Sequence, residues 1–403
     1  MTTSYQEIKQ ICLQNQQLTK RLIDEFLLYY AADRFKLYRE MNKAFARYRH
    51  FTKDAPESWI NTMKGQYIAH RIFMEDGLIN RFINHRALAH LDEEEMAFLR
   101  RNQANPWRFS FSEIIDNPAP DFFEIEDVFT GENLLLYSPS TSEILQDRDP
   151  LLWFNLLSYN GSCYESYGVI NPFQSFEPED ILFYASQLNP DQWIENPSKL
   201  MELVSKDPVP YMLLLLKSEL PLVFQGDDQF VQNTGEFLDD SFESSVLKDA
   251  FTIEYAHDVY RLSLKDRSEF PHFSVAYYDE SEQLLFLSAT TDRGYDALVD
   301  ALNDCGYNLP YNPDFRVNTA MMNTVQEILR KDINLNPYED LFKKMDTKES
   351  GEVDNLNNML AEILPDLNAG LKPDAKKLAQ QFNVNEENAR ELIDELWKKY
   401  GNL

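Results

Sequence analysis

At Asn105-Pro106 the hydrophobic period of this chain shifts from helical to extended, which rules out a purely helical or purely β fold. Before that point apolar residues recur mostly at three- and four-residue steps: Leu22, Phe26, Tyr29, Leu37, Met41, Ala44 and Tyr48. Trp59, Met63, Tyr67, Ile72, Phe73, Leu78, Ile79, Phe82 and Ile83 continue the pattern of helices that bury one face. Asp92 followed three positions later by Glu95 is a capping box, predicting a short helix with Met96 and Leu99 on its buried side. Beyond Pro106, segments 108–115, 121–129 and 132–137 alternate or run apolar, with a turn at Thr130-Gly131. Segments 151–158 and 163–170 flank Tyr159-Asn160-Gly161-Ser162, and Asn-Gly between apolar runs is a strong hairpin signal. Five short strands so close together predict a small antiparallel barrel or curled sheet.

Pro172 and Pro178 punctuate entry into a helical stretch, 178–220. Residues 225–245, with Gly226, Asp227, Asp228, Gly235, Asp239 and Asp240, read as a loop or linker. Segments 250–264, 272–279 and 283–290 read as strands, Asp292 as the cap of a helix ending at Gly306, and 318–331 as a further helix. Asn336-Pro337 begins a tail with helices predicted at 337–345, 354–364 and 373–400. The expected fold is multidomain α+β. A helical head (1–105) precedes a small antiparallel β-barrel-like module (106–172), then a helical connector with an acidic loop (173–245). An α+β domain (246–335) and a helical tail (336–403) complete it.

Charge divides along the same line. Residues 1–108 carry 17 Lys+Arg against 13 Asp+Glu, a net of +4, and subtraction from the totals of 38 and 67 leaves −33 for residues 109–403. So acidic a body repels nucleic acid and anionic membranes at long range, which leaves the head to meet any polyanion. There, Lys36, Arg39, Lys43, Arg47 and His50 fall within about 80° of arc on an ideal helix. Lys36, Arg39, Lys43 and Arg47 are the candidate polyanion or partner contacts, with Tyr38 or Phe35 available to stack on bases. The same stripe can dock on the chain's own acidic body or remain solvated. The first twenty residues lack the apolar core of a secretory signal, and the longest apolar run, Tyr211–Leu216, is six residues. The expectation is a soluble cytoplasmic protein with no membrane partner.

Motifs of chemistry are scarce. Cys12, Cys163 and Cys305 are separated by 151 and 142 residues, which fits neither a disulfide framework nor a zinc pairing. Cys163 lacks a local cation to lower its pKa and reads as structural. His70, His85 and His90 do not align as metal ligands, and no His-Glu-x-x-His, Gly-x-Ser-x-Gly or glycine-rich phosphate loop is present. Asp346 to Asn357 superficially resembles a calcium loop, but Lys348 and Asn357 occupy ligand positions three and twelve. Asp227, Asp228, Glu236, Asp239, Asp240 and Glu243 read as a solvated acidic run. Thr290-Thr291-Asp292-Arg293-Gly294-Tyr295 reads as a strand-to-helix junction and helix cap whose amides can also hold an anion beside Arg293. Residues 378–393 look like a helix-turn-helix with Ala379, Val384, Ala389, Leu392 and Ile393 buried. Its second helix carries Glu386, Glu387, Glu391, Asp394 and Glu395, which suits protein contact better than base reading.

One family-like succession stands out. Glu75-Asp76-Gly77-Leu78 leads to Arg81-Phe82, Leu91-Asp92-Glu93-Glu94-Glu95, Phe98-Leu99, a strand at Phe109–Ile115, and Glu126-Asp127-Val128-Phe129-Thr130-Gly131-Glu132. This order resembles bacterial proteins of the SEC-C motif-associated type. The resemblance is confined to residues 75–137 and implies a helical head followed by a β module, with no activity attached. The zinc motif of that group is absent, because the three cysteines are isolated. The function expected is a non-enzymatic protein-interaction or adaptor protein without a cofactor. A nucleic-acid-associated protein using the basic face and a metal-dependent hydrolase with scattered carboxylates are the alternatives.

Overall fold

The computed structural model describes residues 4–144, 151–173, 175–192, 194, 196–217, 223–224, 227–238, 242–265, 274–342, 359, 372–382, 389–390, 393 and 397. Helix α1 (Tyr5–Leu18) opens on a capping box in which Ser4 and Glu7 satisfy each other's backbone amides. It runs into a π-helical stretch, Thr19–Leu27, and then α2 (Leu28–Arg34). Lys36 takes a left-handed conformation (φ 59°), which ends that run before α3 (Leu37–Ala46). Residues 22–48 are therefore not one amphipathic helix. Leu22, Leu37, Met41, Ala44 and Tyr48 are buried as expected, but Tyr29 is 63% exposed. Helices α4 (Arg49–Thr52), α5 (Glu57–Phe73) and α6 (Ile79–Phe82) follow. At Gly77 a β-carbon would stand 2.5 Å from the Ile72 carbonyl oxygen, so the acidic-Gly pattern marks a close backbone approach. Helix α7 (Glu93–Ala104) opens on the predicted box, with Glu95 N donating to Asp92 Oδ1 at 2.8 Å and Asp92 N to Glu95 Oε2 at 2.9 Å.

The barrel comprises β1 (Arg108–Ala119), β2 (Phe122–Asp127), β3 (Asn133–Tyr137), helix α8 (Pro139–Ile144), β4 (Trp153–Tyr159) and β5 (Tyr164–Tyr167). It closes in the order β1-β2-β3-β5-β4, β4 pairing back to β1. The expected all-antiparallel barrel needs one correction: β3 and β5 pair in parallel, Leu136 opposite Tyr164 and Tyr137 opposite Glu165. A parallel pair requires a crossover rather than a hairpin, and α8 with β4 supplies it. This connectivity is that of a five-stranded Greek-key barrel of the OB type. Phe123, Ile125, Leu134, Leu136 and Leu157, with Ile114 and Tyr164, fill the interior from all five strands. Asp127 closes the β2–β3 turn, accepting from Thr130 N at 2.9 Å, Phe129 N at 3.1 Å and Ser110 Oγ at 2.6 Å.

The outer wall of β1 and β4 is buried too. Phe111 stacks on Phe154 with ring centroids 4.5 Å apart, and His70 of α5 lies on Phe109 at 4.8 Å. Burial is accordingly continuous along 109–112 and 153–158, although Phe and Ser alternate through the first of these segments.

Helices α9 (Pro178–Leu188), α10 (Pro197–Lys206) and α11 (Val209–Leu214) occupy the predicted connector, followed by the paired strands β6 (Val223–Phe224) and β7 (Asp227–Asp228). The loop expected at 225–245 is corrected by strand β8 (Phe230–Phe237). Of its four buried residues only Phe230 is apolar; Gln232, Asn233 and Thr234 are polar, which hid it from a hydrophobic pattern. Gln232 Nε2 donates to Asp292 Oδ1 at 2.8 Å, and the Thr234 and Tyr295 hydroxyls bond at 2.6 Å. After α12 (Ser244–Leu247) the segment read as one strand, 250–264, is two: β9 (Phe251–Ala256) and β10 (Val259–Leu264). They turn at His257 and Asp258, both left-handed (φ 54° and 62°). Strands β11 (Val275–Asp279) and β12 (Leu284–Ala289), helix α13 (Asp292–Asp304), β13 (Phe315–Asn318) and α14 (Thr319–Leu329) follow. Thr291 rather than Asp292 caps α13, and Gly306 (φ 101°) follows its end. The six-stranded sheet runs β13-β8-β12-β11-β10-β9.

By compactness the chain divides into two units. One is Met1–Glu236 with Leu264–Ala276 and Phe286–Ile333; the other is Phe237–Ser263 with Tyr277–Leu285 and Asn334–Leu403. In the second unit, Tyr277 stacks on Tyr338 just before α15 (Glu339–Phe342). Past α16 (Ala375–Phe382), Ala389 and Ile393 pack with Met359, Leu378 and Ala379. Three of the five expected helix-turn-helix core positions are thus buried together, while Val384 and Leu392 lie outside the described residues, as does the calcium-loop-like segment. Among the described residues no helix is long and apolar enough to cross a membrane.

Candidate functional site

A cluster of buried polar groups lies where α1 meets the barrel. Ile8, Cys12 and Asn15 share one helical face by their spacing and are all buried. Ile8 and Cys12 pack on Phe122 of β2, Tyr137 of β3 and Cys163 at the start of β5. Lys9 adds an ion pair to Asp121 (2.7 Å).

The β4–β5 turn supplies the other half. Gly161 takes φ 102°, which lets Asn160 Oδ1 accept from Ser162 N (2.9 Å) and Cys163 N (3.0 Å). Asn160 Nδ2 then donates to Glu165 Oε1 (2.7 Å), Cys12 Sγ (3.2 Å) and Cys163 Sγ (3.4 Å). Glu165 Oε1 also accepts from Asn15 Nδ2 (3.0 Å), and Arg101 of α7 donates to Asn15 Oδ1. Cys12 Sγ and Cys163 Sγ stand 3.4 Å apart. Burial pushes the Glu165 carboxyl up to about 7, against the pull of hydrogen bonds from Asn160 and Asn15 and the Arg101 charge. The hydrogen bond with Cys12, followed by burial, raises the Cys163 thiol above the ordinary thiol range.

Beside this cluster opens a pocket of about 160 Å³, lined in part by Thr19, Tyr137, Ser138, Ser158, Glu165 and Ser166. Its wall is rich in hydroxyls, and Ser166 Oγ is buried without a hydrogen-bond partner. A carboxyl that titrates near neutrality faces several hydroxyls there. Among the described residues no group of three or more His, Cys, Asp or Glu side chains is arranged to hold a metal ion.

Glu165 predicts a pH dependence of stability. Its folded pKa is raised above the ordinary 4.5, so its favourable contribution is complete below pH 4.5 and disappears as pH rises through about 7. Relative to Glu165→Gln, the native protein should lose about 3 kcal/mol of stability between those limits, from 1.36 kcal/mol per pKa unit. Urea unfolding of both proteins at pH 4.5 and pH 8 checks this; parallel pH profiles would contradict the placement of the carboxyl.

The four basic candidates do not join this cluster. Lys36 sits at the break before α3, so it shares no continuous helix with Arg39 and Lys43, whose side chains are exposed. Arg47 Nη2 pairs with Asp207 Oδ2 at 2.6 Å. The His50 ring lies 3.1 Å from the Glu327 carbonyl oxygen. Phe35 packs on Phe82 instead of presenting a stacking surface. His70 is buried on Phe109, and burial drives its pKa down to about 3; His85 bonds Tyr30 and His90 meets the Phe26 edge. At the Thr291 junction, Asp292 receives Gln232 and Arg316, which places a carboxylate where an anion was considered. Of the acidic run, Asp239 and Asp240 lie outside the described residues.

Sequence reasoning missed Cys12, Asn15, Arg101 and Glu165 as members of a site. Only the Asn160-Gly161 turn had a local signal; the meeting of residues 151 positions apart is tertiary. Comparison with family models, curated proteins and solved structures yields no match.

Proposed function

We propose that this chain is a non-enzymatic protein-interaction protein in which the barrel holds α1 and presents its outer face to a partner protein. The observation that carries this reading is the seating of α1 through Ile8 and Cys12 on β2, β3 and β5. In barrels of this connectivity the β2–β3 wall is where oligonucleotide and oligosaccharide ligands are taken up. Here that wall carries a helix of the same chain. Beneath it Asn15 of the helix is bonded to Glu165, which Asn160 also holds.

The face of α1 that remains exposed holds Gln6, Glu7, Gln10, Leu13, Gln14 and Gln17, and Glu7, tied to Ser4 in the capping box, is the one charge among them. In a protein of net charge −29 the stretch from Gln10 to Gln17 carries no charged residue, and loss of charge is the compositional mark of interface centres. It suits a helix offering amide and aliphatic groups in return.

The test is reciprocal capture with the whole protein and its Gln10→Glu/Leu13→Glu variant. A partner that each bait recovers from the other, and that binds the variant at least about tenfold more weakly, supports the reading. A partner list unchanged by the two substitutions, or turnover in a broad substrate screen, counts against it. The nucleic-acid alternative has weaker support, since Arg47 is paired with Asp207 and Phe35 with Phe82. Salt-sensitive oligonucleotide binding lost when Lys36, Arg39, Lys43 and Arg47 become Glu would revive it.

A further inference from the structure

We propose that Cys12 and Cys163 are an oxidisable thiol pair, and that their disulfide bolts α1 onto the barrel in response to a hydroperoxide. The two sulfurs are 3.4 Å apart, and both residues are at most 1% exposed. Bonding them requires an approach of roughly 1.4 Å to the usual sulfur–sulfur length.

The scaffold that presents the thiols is ordered independently of them. Lys9 pairs with Asp121 (2.7 Å), Tyr5 packs on Phe122 with centroids 5.2 Å apart, and Asn15 bonds Glu165 (3.0 Å). These contacts come both before and after Cys12 along α1, so the helix is held in register at that point. Asn160 aims one amide nitrogen at both sulfurs, a donor suited to whichever becomes the thiolate. The neighbouring pocket shares Tyr137 with the cluster and also meets Glu165, while the two sulfurs themselves lie behind its wall, so a small oxidant reaches them when α1 lifts locally from the barrel.

The chemistry closes without a further reagent. One thiol loses its proton and attacks the hydroperoxide; the O–O bond breaks, sulfenic acid forms, and water or an alcohol leaves. The second thiol attacks the sulfenic sulfur, the S–S bond forms, and its proton departs with the hydroxyl as water. Two thiols are oxidised by two electrons, and one peroxide bond is reduced. Because the pair raises the Cys163 thiol, the reaction is limited by thiolate and accelerates with pH. Cys305 caps the end of α13 and is a separate, half-buried thiol.

The disulfide itself does not depend on the function proposed above, whereas its consequence, a locked helix face, rests on that reading. The experiment uses the full chain carrying Cys305→Ser, which leaves two thiols. Hydrogen peroxide is added at pH 7 and pH 8, followed by denaturation, alkylation and peptide mass mapping. The expected product is an intramolecular peptide pair joining Cys12 to Cys163, lost on reduction, formed about tenfold faster at the higher pH. Further substitution of Cys163→Ala abolishes it. The inference is overturned if both thiols survive exposures that oxidise Cys305 in the native protein. Separate sulfinic acids without a cross-link, or links between molecules only, overturn it equally. A cross-link with partner capture insensitive to Leu13→Glu removes the interaction reading alone; sensitive capture with no cross-link removes the latch alone.

Discussion

Asn160→Ala is expected to lower the unfolding free energy by about 2–4 kcal/mol, the range for leaving several buried polar groups unpaired. The side chain is 2% exposed and bonds two backbone amides, two sulfurs and Glu165. Removing it frees Ser162 N and Cys163 N and leaves Glu165 with one fewer donor, so the carboxyl should move above its present value near 7. Asn160→Asp separates the two roles. The aspartate keeps an acceptor for the turn but sets a second carboxyl against Glu165. Its destabilisation should therefore be small at pH 4.5 and grow towards pH 8. Chemical unfolding of the three proteins across that range decides the matter, and equal losses at both ends would show that the turn alone carries the effect.

Phe111→Ala should cost about 3–5 kcal/mol, the range for truncating a fully buried aromatic. The ring is 0% exposed and lies between elements: it stacks on Phe154, meets Phe129 and Tyr211 edge-on at 5.5 and 6.3 Å, and neighbours Phe173 at 6.4 Å. Its loss opens a cavity where the barrel wall meets α11. Phe111→Leu retains most of the volume and should cost about 1.5 kcal/mol or less. Denaturant midpoints at fixed slope measure both. An alanine variant within about 1 kcal/mol of the native protein would mean the wall is not packed as described.

The two substitutions also mark what could be read from the chain alone. Phe111 belongs to a run whose strand character was evident, and the capping box at Asp92 and the Asn160-Gly161 turn were legible because their signals span only a few residues. Strand β8 was not legible: Gln232 and Thr234 are buried through hydrogen bonds to α13, and such pairing leaves no hydrophobic period. The parallel closure of β3 on β5 escaped notice for a related reason, since pairing direction follows from the path of the whole connection. The helix–barrel cluster was the least accessible. Cys12 and Asn15 look like unremarkable positions on an amphipathic helix until Cys163 and Glu165 are brought against them.

The distance along the chain between α1 and its seat has a consequence for biosynthesis. Cys12 leaves the ribosome 151 residues ahead of Cys163, and at 5–20 residues per second that interval is roughly 8–30 s. Throughout it, the apolar side of the nascent helix, with Ile8 and Cys12, has no β5 to rest on. A chaperone that shields short amphipathic segments would find its substrate in that window, and slowing translation anywhere between the two cysteines should lengthen the engagement.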